Sequence, residues 1–406
     1  MRTKRDISGE DYKTAHSILD CLENEGPLSR AMVAKKLGLS RTTLTNVISP
    51  LIDRGLVVEQ EEPSDPSGRG RPGIPVDLQT TRWFALGATF HSGRWVFAVT
   101  NLKGEVVLMR TATSSVGDPK AFLSSLIKGI GHMAGKFPGK LLPGVGVGAP
   151  GLVNWKTGTI IRADDLGWEQ VAVGEAVENA TGFAAYVVNR NRAAGIAEAK
   201  YGKGRHAPNF IYIGIGTGIS AAIMLDGSLF HGSGFSAGEI GHVVVDPRGP
   251  RCGCGKRGCL QTVAAEGALV AAVEKMRAAG RVPDDSELGR LFGADGHVRG
   301  VDVLRAASNG DKVAVEGVRR MARYLGMAVG SLITAINPDK VIFGGPLMRD
   351  GCGVLLEDVR REAGAWAMEH PFAMASIECS DMDEYAGARG AACLVLRDKL
   401  ELSSGD

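Results

Sequence analysis

No stretch of this chain approaches the ~18 consecutive apolar residues of a membrane span. The opening segment MRTKRDISGEDYK lacks the apolar core of a secretory signal. The expected location is therefore cytoplasmic, with no membrane partner. Charge of one sign is also lacking. Lys and Arg total 47 against 45 Asp and Glu, a formal net charge of +2. That balance excludes a chain that is polybasic throughout, so any nucleic-acid surface must be local. The seven cysteines are too few, in 406 residues, for a disulfide scaffold. Three crowd between positions 252 and 259, which favours a metal site in a reducing compartment. The others, Cys21, Cys352, Cys379 and Cys393, are expected to be packing residues. Neither an internal repeat nor a low-complexity tail is evident. What is present is length, with 44% hydrophobic residues, enough for two or three domains.

The first 60 residues carry helical periodicity. Ala15, Ile18, Leu19 and Leu22 share one face of a helix that Gly26-Pro27 ends. Ser29 can cap a second helix bearing Val33 and Leu37, which stops at Gly38. Ser40 can cap a third, with Leu44, Val47, Ile48, Leu51 and Ile52 on one side. Pro50 lies inside that pattern and is expected to kink or end the helix, because it has no N–H to donate. Gly55 closes the segment, and Leu56-Val57-Val58 reads as a strand. The Pro-, Gly- and Ser-rich stretch EEPSDPSGRGRPG then reads as turn and linker.

Two short helices, a strand and a basic strip make a winged helix-turn-helix. The second helix of such a pair enters the major groove, and its first turn meets base edges. Here those residues are Ser40, Arg41, Thr42, Thr43 and Thr45. From Gly26 to Val58 there are five basic residues (Arg30, Lys35, Lys36, Arg41, Arg54) and one acidic (Asp53), a local excess of +4. Arg69 and Arg71 in the strip can enter a narrow minor groove. A helical bundle used for protein contacts shows the same periodicity. Against it, the run GPLSRAMVAKKLGLSRTTLTNVISPLIDRGLVVE, followed by a Gly-Arg-Pro tripeptide, resembles the opening segment of repressors of the ROK family (repressors, open reading frames and kinases).

Beyond residue 82 strands and helices alternate in two series. ALGATF, RWVFAVTN, EVVLMRTA, PGVGVGAP and FAAYVVN read as strands of the first; NFIYIGIG, AAIMLDG and DKVIFGG belong to the second. Helical stretches over 263–279 and 312–336 lie between. This is an α/β layout built twice. Residues 82–398 resemble ROK sugar kinases, most specifically through GIGTGISAAIMLDGSLFHGSGFSAGEIGHVVVD and CGCGKRGCL. The resemblance implies a two-lobed, actin-like (RNase-H-type) fold around a cleft. The expected divisions are 1–78 for the winged helix with its linker, 79–195 for the first lobe, completed by a C-terminal helix near 385–400, and 196–384 for a second lobe carrying a zinc site and an oligomer interface.

His242, Cys252, Cys254 and Cys259 form His-x9-Cys-x-Cys-x4-Cys. Three thiolates and an imidazole satisfy tetrahedral zinc with no open position, which defines a structural site. The spacing is not Cys-x-x-Cys, so redox chemistry is disfavoured. Zinc is the expected cofactor; ATP is not expected. ROK kinases end their first strand in Asp-x-Gly-Gly-Thr, where this chain has Thr89-Phe90-His91-Ser92-Gly93. Their Asn-Asp-Ala-Asn, with the catalytic aspartate, is Asn189-Arg190-Asn191-Arg192 here. A guanidinium cannot act as the base. Gly216-Thr217-Gly218 and Gly344-Gly345 survive and are explained better as tight turns than as a nucleotide site.

The resemblance implies that Asn189, Glu239 and His242 hydrogen-bond a sugar, with Gln261 in place of a family glutamate. Arg190 either salt-bridges Glu239 or binds an anionic ligand. The function implied is a non-enzymatic, DNA-binding repressor of carbohydrate genes. Its expected partners are operator DNA, a sugar or sugar-phosphate effector, and further copies in a homodimer or homotetramer. An active sugar kinase with a DNA-binding head and a ligand-independent DNA-binding dimer are the alternatives.

Overall fold

A computed structural model describes residues 9–60 and 74–397. The head begins with α1 (Gly9–Glu25), a two-residue β1 (Leu28–Ser29) and α2 (Arg30–Leu37). Then come α3 (Arg41–Asp53), β2 (Val57–Glu59) and β3 (Pro75–Leu78). The capping residues act as expected: Ser29 accepts from the Met32 N–H, and Ser40 from the Thr43 N–H. Gly38 closes α2 in a left-handed conformation. Pro50 does not end α3, which runs on to Asp53. Proline removes only its own bond back to the previous turn, and the Arg54 N–H still reaches the Pro50 carbonyl at 3.0 Å. The wing is an antiparallel sheet of order β1-β3-β2. Its tip, with Arg69 and Arg71, lies outside the described residues.

The body opens with β4 (Phe84–His91), β5 (Arg94–Asn101), β6 (Val106–Thr113), α4 (Pro119–Ala134) and β7 (Leu141–Ala149). A small three-stranded sheet follows, of β8 (Leu152–Asn154), β9 (Thr159–Ala163) and β10 (Trp168–Ala172). Next are α5 (Val173–Thr181), β11 (Ala184–Asn189) and α6 (Arg190–Tyr201). The second series is β12 (Phe210–Ile215), β13 (Ile219–Leu225), β14 (Ser228–Leu229) and the helices α7 (Leu260–Ala264), α8 (Glu266–Ala278), α9 (Glu287–Asp295), α10 (Gly300–Ser308) and α11 (Lys312–Ile336). It ends with β15 (Lys340–Gly344), α12 (Met348–Trp366), α13 (Glu369–Met374) and β16 (Ser376–Cys379), before the last helix α14 (Ala386–Arg397).

Both five-stranded sheets share one order. The first runs β6-β5-β4-β7-β11 and the second β14-β13-β12-β15-β16. In each, the first three strands form an antiparallel meander and the last two add parallel to the first strand. The doubled α/β layout is therefore literal. Aromatic packing of Phe90, Trp95, Phe122 and Trp168 fills the first core, while aliphatic residues of α8 to α12 fill the second.

Helix α6 packs against strands of both sheets, so a boundary at 195 falls inside one continuous helix. Helix α14 crosses the first sheet and lies along α6. The contact is backbone to backbone: a Cβ at Gly146 would sit 1.8 Å from the Ala391 carbonyl, and one at Gly390 1.8 Å from that of Ala193. Only glycine permits such an approach.

Cys21 and Cys393 are buried packing residues, as expected. Cys352 and Cys379 are not; they form a disulfide between α12 and β16. Their 27-residue separation carries no signal. The β15–α12–β16 crossover, which no local pattern specifies, brings them together.

Candidate functional site

Helix α3 presents Arg41, Thr42 and Thr45 to solvent, with Thr43 half-buried behind them. Ser40 and Thr43 are used in capping, their hydroxyls 2.7 Å apart, and the Thr45 hydroxyl donates to the Arg41 carbonyl. Arg41 makes no ion pair among the described residues. The sequence reading missed Asn46, which is exposed one helical turn beyond Thr42. Its amide suits an adenine edge. The basic excess is smaller than counted along the chain. Arg30 pairs with Glu59 at 2.7 Å and Lys36 with Glu25 at 2.6 Å, two acids just outside the Gly26–Val58 window.

All five expected ligand residues, Asn189, Arg190, Glu239, His242 and Gln261, line one cleft of about 470 Å³. That volume suits a monosaccharide derivative. Asn189 ends β11 and caps α6; its amide donates to the Gly151 carbonyl at 2.8 Å and accepts from the Asn191 N–H. Both its polar atoms are thus engaged, each with one valence left. Glu239 heads a short turn before His242. Burial raises its carboxyl above the usual range, against Arg192, His242 and Arg190. Its Oε1 is buried without a hydrogen-bond partner. The Arg192 guanidinium lies 3.7 Å from that oxygen, at ion-pair but not hydrogen-bond distance.

Of the two roles left open for Arg190, the ion pair with Glu239 is not made. Arg192 takes it instead, at 3.7 Å, while donating to the carbonyls of Phe235 and Ala237. Arg190 makes no ion pair among the described residues. Burial lowers its pKa, and Asp165 and then Glu239 oppose that. Asp165, Asp164 and Arg162 also line the cleft and were not anticipated; no motif marks them, because the small β8–β10 sheet carries them there. At the end of β4, burial and then Arg190, Arg349 and Arg94 push the His91 imidazole down to about 3, so it stays neutral. Ser92 beside it adopts a left-handed φ of 46°. Thr89 is fully buried and near the Gly148 carbonyl. The turn is closed by side chains where a phosphate loop would need bare backbone.

Next to the cleft, His242, Cys252, Cys254 and Cys259 bring one ligand atom each to within 4.8 Å of the others. Tetrahedral bonds of ~2.0–2.3 Å place ligand atoms about 3.5–3.8 Å apart. The His242 Nδ1 to Cys252 Sγ distance is 3.5 Å, and the Cys254 and Cys259 sulfurs are 3.6 Å apart. The residues therefore fit a tetrahedral metal. Burial pushes the Cys259 thiol up to about 12. Burial also opposes the Cys254 thiolate, but the Lys256 N–H and the neighbouring thiols and His242 bring it down to about 7. A central dication would replace this proton sharing with three thiolates. Since Nδ1 faces the sulfurs, the rest of the His242 ring forms cleft wall. Gln261 lines the cleft too, and its amide lies 3.7 Å from the Cys252 sulfur.

A winged helix carried on two lobes that enclose a sugar-sized cleft defines a DNA-binding regulator with a ligand pocket. The chain belongs to the ROK family, whose model matches residues 92–398; a model of the MarR family matches residues 12–66. The xylose repressor of Caldicellulosiruptor bescii is 27% identical over 391 residues, 94% of this chain and 95% of that protein. A solved ROK family transcriptional regulator, described as a homologue of the Escherichia coli Mlc protein, superposes with a TM-score of 0.84 at 26% identity. It covers 98% of this chain and 100% of its own. The ROK family glucokinase of Streptomyces griseus, solved with glucose and AMPPNP, gives a TM-score of 0.69 at 26% identity. It covers 77% of this chain and 98% of its own. No described helix is long and apolar enough to cross a membrane.

Proposed function

We propose that this chain is a cytoplasmic repressor that binds operator DNA through residues 1–78 and senses a sugar or sugar phosphate in its cleft without phosphorylating it. The observation that carries the sensing reading is the partly exposed Glu239 carboxylate in the same cleft wall as Asn189, His242 and Gln261. A carboxylate there can accept from a ligand hydroxyl. Asn189, His242 and Gln261 add hydrogen-bonding capacity around it. Arg190, with no ion pair among the described residues, offers a fixed cation to a phosphate or carboxylate on the sugar. Zinc, held by His242, Cys252, Cys254 and Cys259, fixes the wall that carries His242. The exposed Trp366, Met368 and Met374 on the second lobe support self-association as a homodimer or homotetramer.

The test is operator binding measured with neutral, phosphorylated and acidic sugars. One class should change operator affinity by ~1–3 kcal/mol. Arg190→Gln should weaken an anionic effector about tenfold or more, since charge-assisted hydrogen bonds are worth ~1.5–3 kcal/mol. If no sugar alters operator binding, the ligand-independent reading replaces this one.

Phosphoryl transfer is not expected. Arg190 stands where the base is needed, and loss of a base alone costs ~10²–10⁴ in rate. The side-chain-filled turn at Thr89, His91 and Ser92 removes the phosphate cradle as well. Incubation with ATP, magnesium and hexoses, hexosamines or pentoses should yield no phosphosugar. Turnover by protein freed of contaminating kinase would refute the non-enzymatic assignment.

A further inference from the structure

Helix α6 starts in the cleft and ends on the DNA-binding head. At its first turn are Asn189 and Arg190, both in the cleft wall. Twelve residues later, roughly 18 Å along the axis, its last turn reaches α1. The Lys200 ammonium lies 3.4 Å from a Glu23 carboxylate oxygen and 4.0 Å from one of Asp20. Just past the helix, the Arg205 guanidinium donates to the Asn24 carbonyl at 2.7 Å. Burial works against the Lys200 charge, but Glu23 and Asp20, with Cys393, outweigh it and lift its pKa.

The helix is gripped along its length. Arg192 is fully buried and holds the carbonyls of Phe235 and Ala237, on the strand of chain that leads to Glu239. Glu198 is fully buried, accepts from the Lys203 N–H and bonds Ser380. The Tyr201 ring lies under the Arg389 guanidinium of α14 at 3.7 Å. Helix α14 in turn supplies Ala392, Val395 and Leu396 to the same apolar cluster as Ile18, Leu22 and Leu51 of the head. The head thus meets the α6–α14 pair through that apolar cluster and through the Lys200 and Arg205 contacts.

We infer that α6 is a rod that transmits cleft occupancy to the DNA-binding head, with Lys200 as the positioning residue that hands the motion to Glu23 and Asp20 of α1. The inference rests on the regulatory reading above. A ligand that engages Glu239 or Arg190 alters the forces on Arg192 and on the first turn of α6. A close-packed helix relays such a shift as a unit, because its interior cannot absorb it. By reciprocity, DNA at the head must then alter the cleft end of α6.

The test uses full-length protein and a duplex recovered by it from a random-sequence pool. Hydrogen–deuterium exchange over residues 189–201 is compared with and without that duplex. The proteins are wild type, Lys200→Met, Glu23→Gln and the reversal Lys200→Glu with Glu23→Lys. The duplex should change exchange at the cleft end of α6 in wild type. Both single variants should lose that response while still binding the duplex, and the reversal should regain it. With D-xylose, D-glucose and glucose 6-phosphate as probes, the ratio of duplex affinities with and without sugar should move toward one in the single variants; such ratios are typically roughly 5–150-fold. No exchange change at the cleft end in wild type overturns the inference. So does a wild-type response in both single variants. Recovery of no duplex overturns the regulatory reading itself, and this inference with it.

Discussion

Protein prepared with metal should hold about one tightly bound zinc per chain, and Cys254→Ser should lose most of it and unfold at a lower temperature. Four ligand atoms already lie within 4.8 Å of one another, with two of the pairs at tetrahedral spacing. Structural zinc in small peptides contributes an apparent ~10–16 kcal/mol, so losing one of four ligands sacrifices several. Whole domains are stable by only ~5–15 kcal/mol. The loop's backbone closes through Cys252 N–H to the Lys256 carbonyl, Gly255 N–H to the Cys252 carbonyl and Gly258 N–H to the Pro250 carbonyl, and the metal would add the link among the four side chains. Cys254 is the preferred site, because Cys252 also neighbours the Gln261 amide of the cleft. Elemental analysis and thermal melting provide the readouts. Chelation should also weaken effector binding, since His242 and Gln261 share the wall. Unchanged zinc content in Cys254→Ser rules out this ligand set.

Replacing Arg41 or Asn46 by alanine should cost specific operator binding ~1–3 kcal/mol each, the range for a side chain that reads a base. Arg41 has the stronger case, being exposed in the first turn of α3 and in no ion pair among the described residues. Non-specific binding should fall much less, so the ratio of specific to non-specific affinity narrows from its usual ~10³–10⁷. Competition footprinting at fixed salt measures both. Deleting residues 1–80 should abolish operator recognition altogether. That deletion is the blunter test, because the head shares its core with the body. Ala85, Leu102, Leu142, Ala392, Val395 and Leu396 pack against head residues and would be laid bare. An operator footprint retained after the deletion, or unchanged in both alanine variants, would remove α3 from the recognition role.

Much of the site was legible in the chain because its signals are local. Ser29 and Ser40 announce helix starts through hydroxyls that bond the next turn. The zinc set is legible because three of its four ligands fall within eight residues, and only the loop must fold to join them to His242. The five cleft residues are spread over 73 positions, Asn189 to Gln261; their convergence was available only through family resemblance.

Elsewhere the chain order misled or was silent. The basic excess from Gly26 to Val58 was read as free charge, yet Glu25 and Glu59 neutralise Arg30 and Lys36 from just outside. Pro50 reads as a kink or a stop, and of the two the stop is not made: one missing hydrogen bond near a helix end does not outweigh the packing of Leu51.

By itself the sequence determined what depends on neighbours along the chain: helix caps, the strand alternation and the metal-ligand spacing. Tertiary structure decided what depends on distance in space. It gave Glu239 to Arg192 and left Arg190 without an ion pair among the described residues. It joined Cys352 to Cys379 and carried Asp164 and Asp165 into the cleft. It also set one end of α6 in the cleft wall and the other against the N-terminal head. The physical reason is range: caps and turns act over a few bonds, whereas ion pairs, disulfides and packed helices answer only to which surfaces the folded chain brings within a few ångströms.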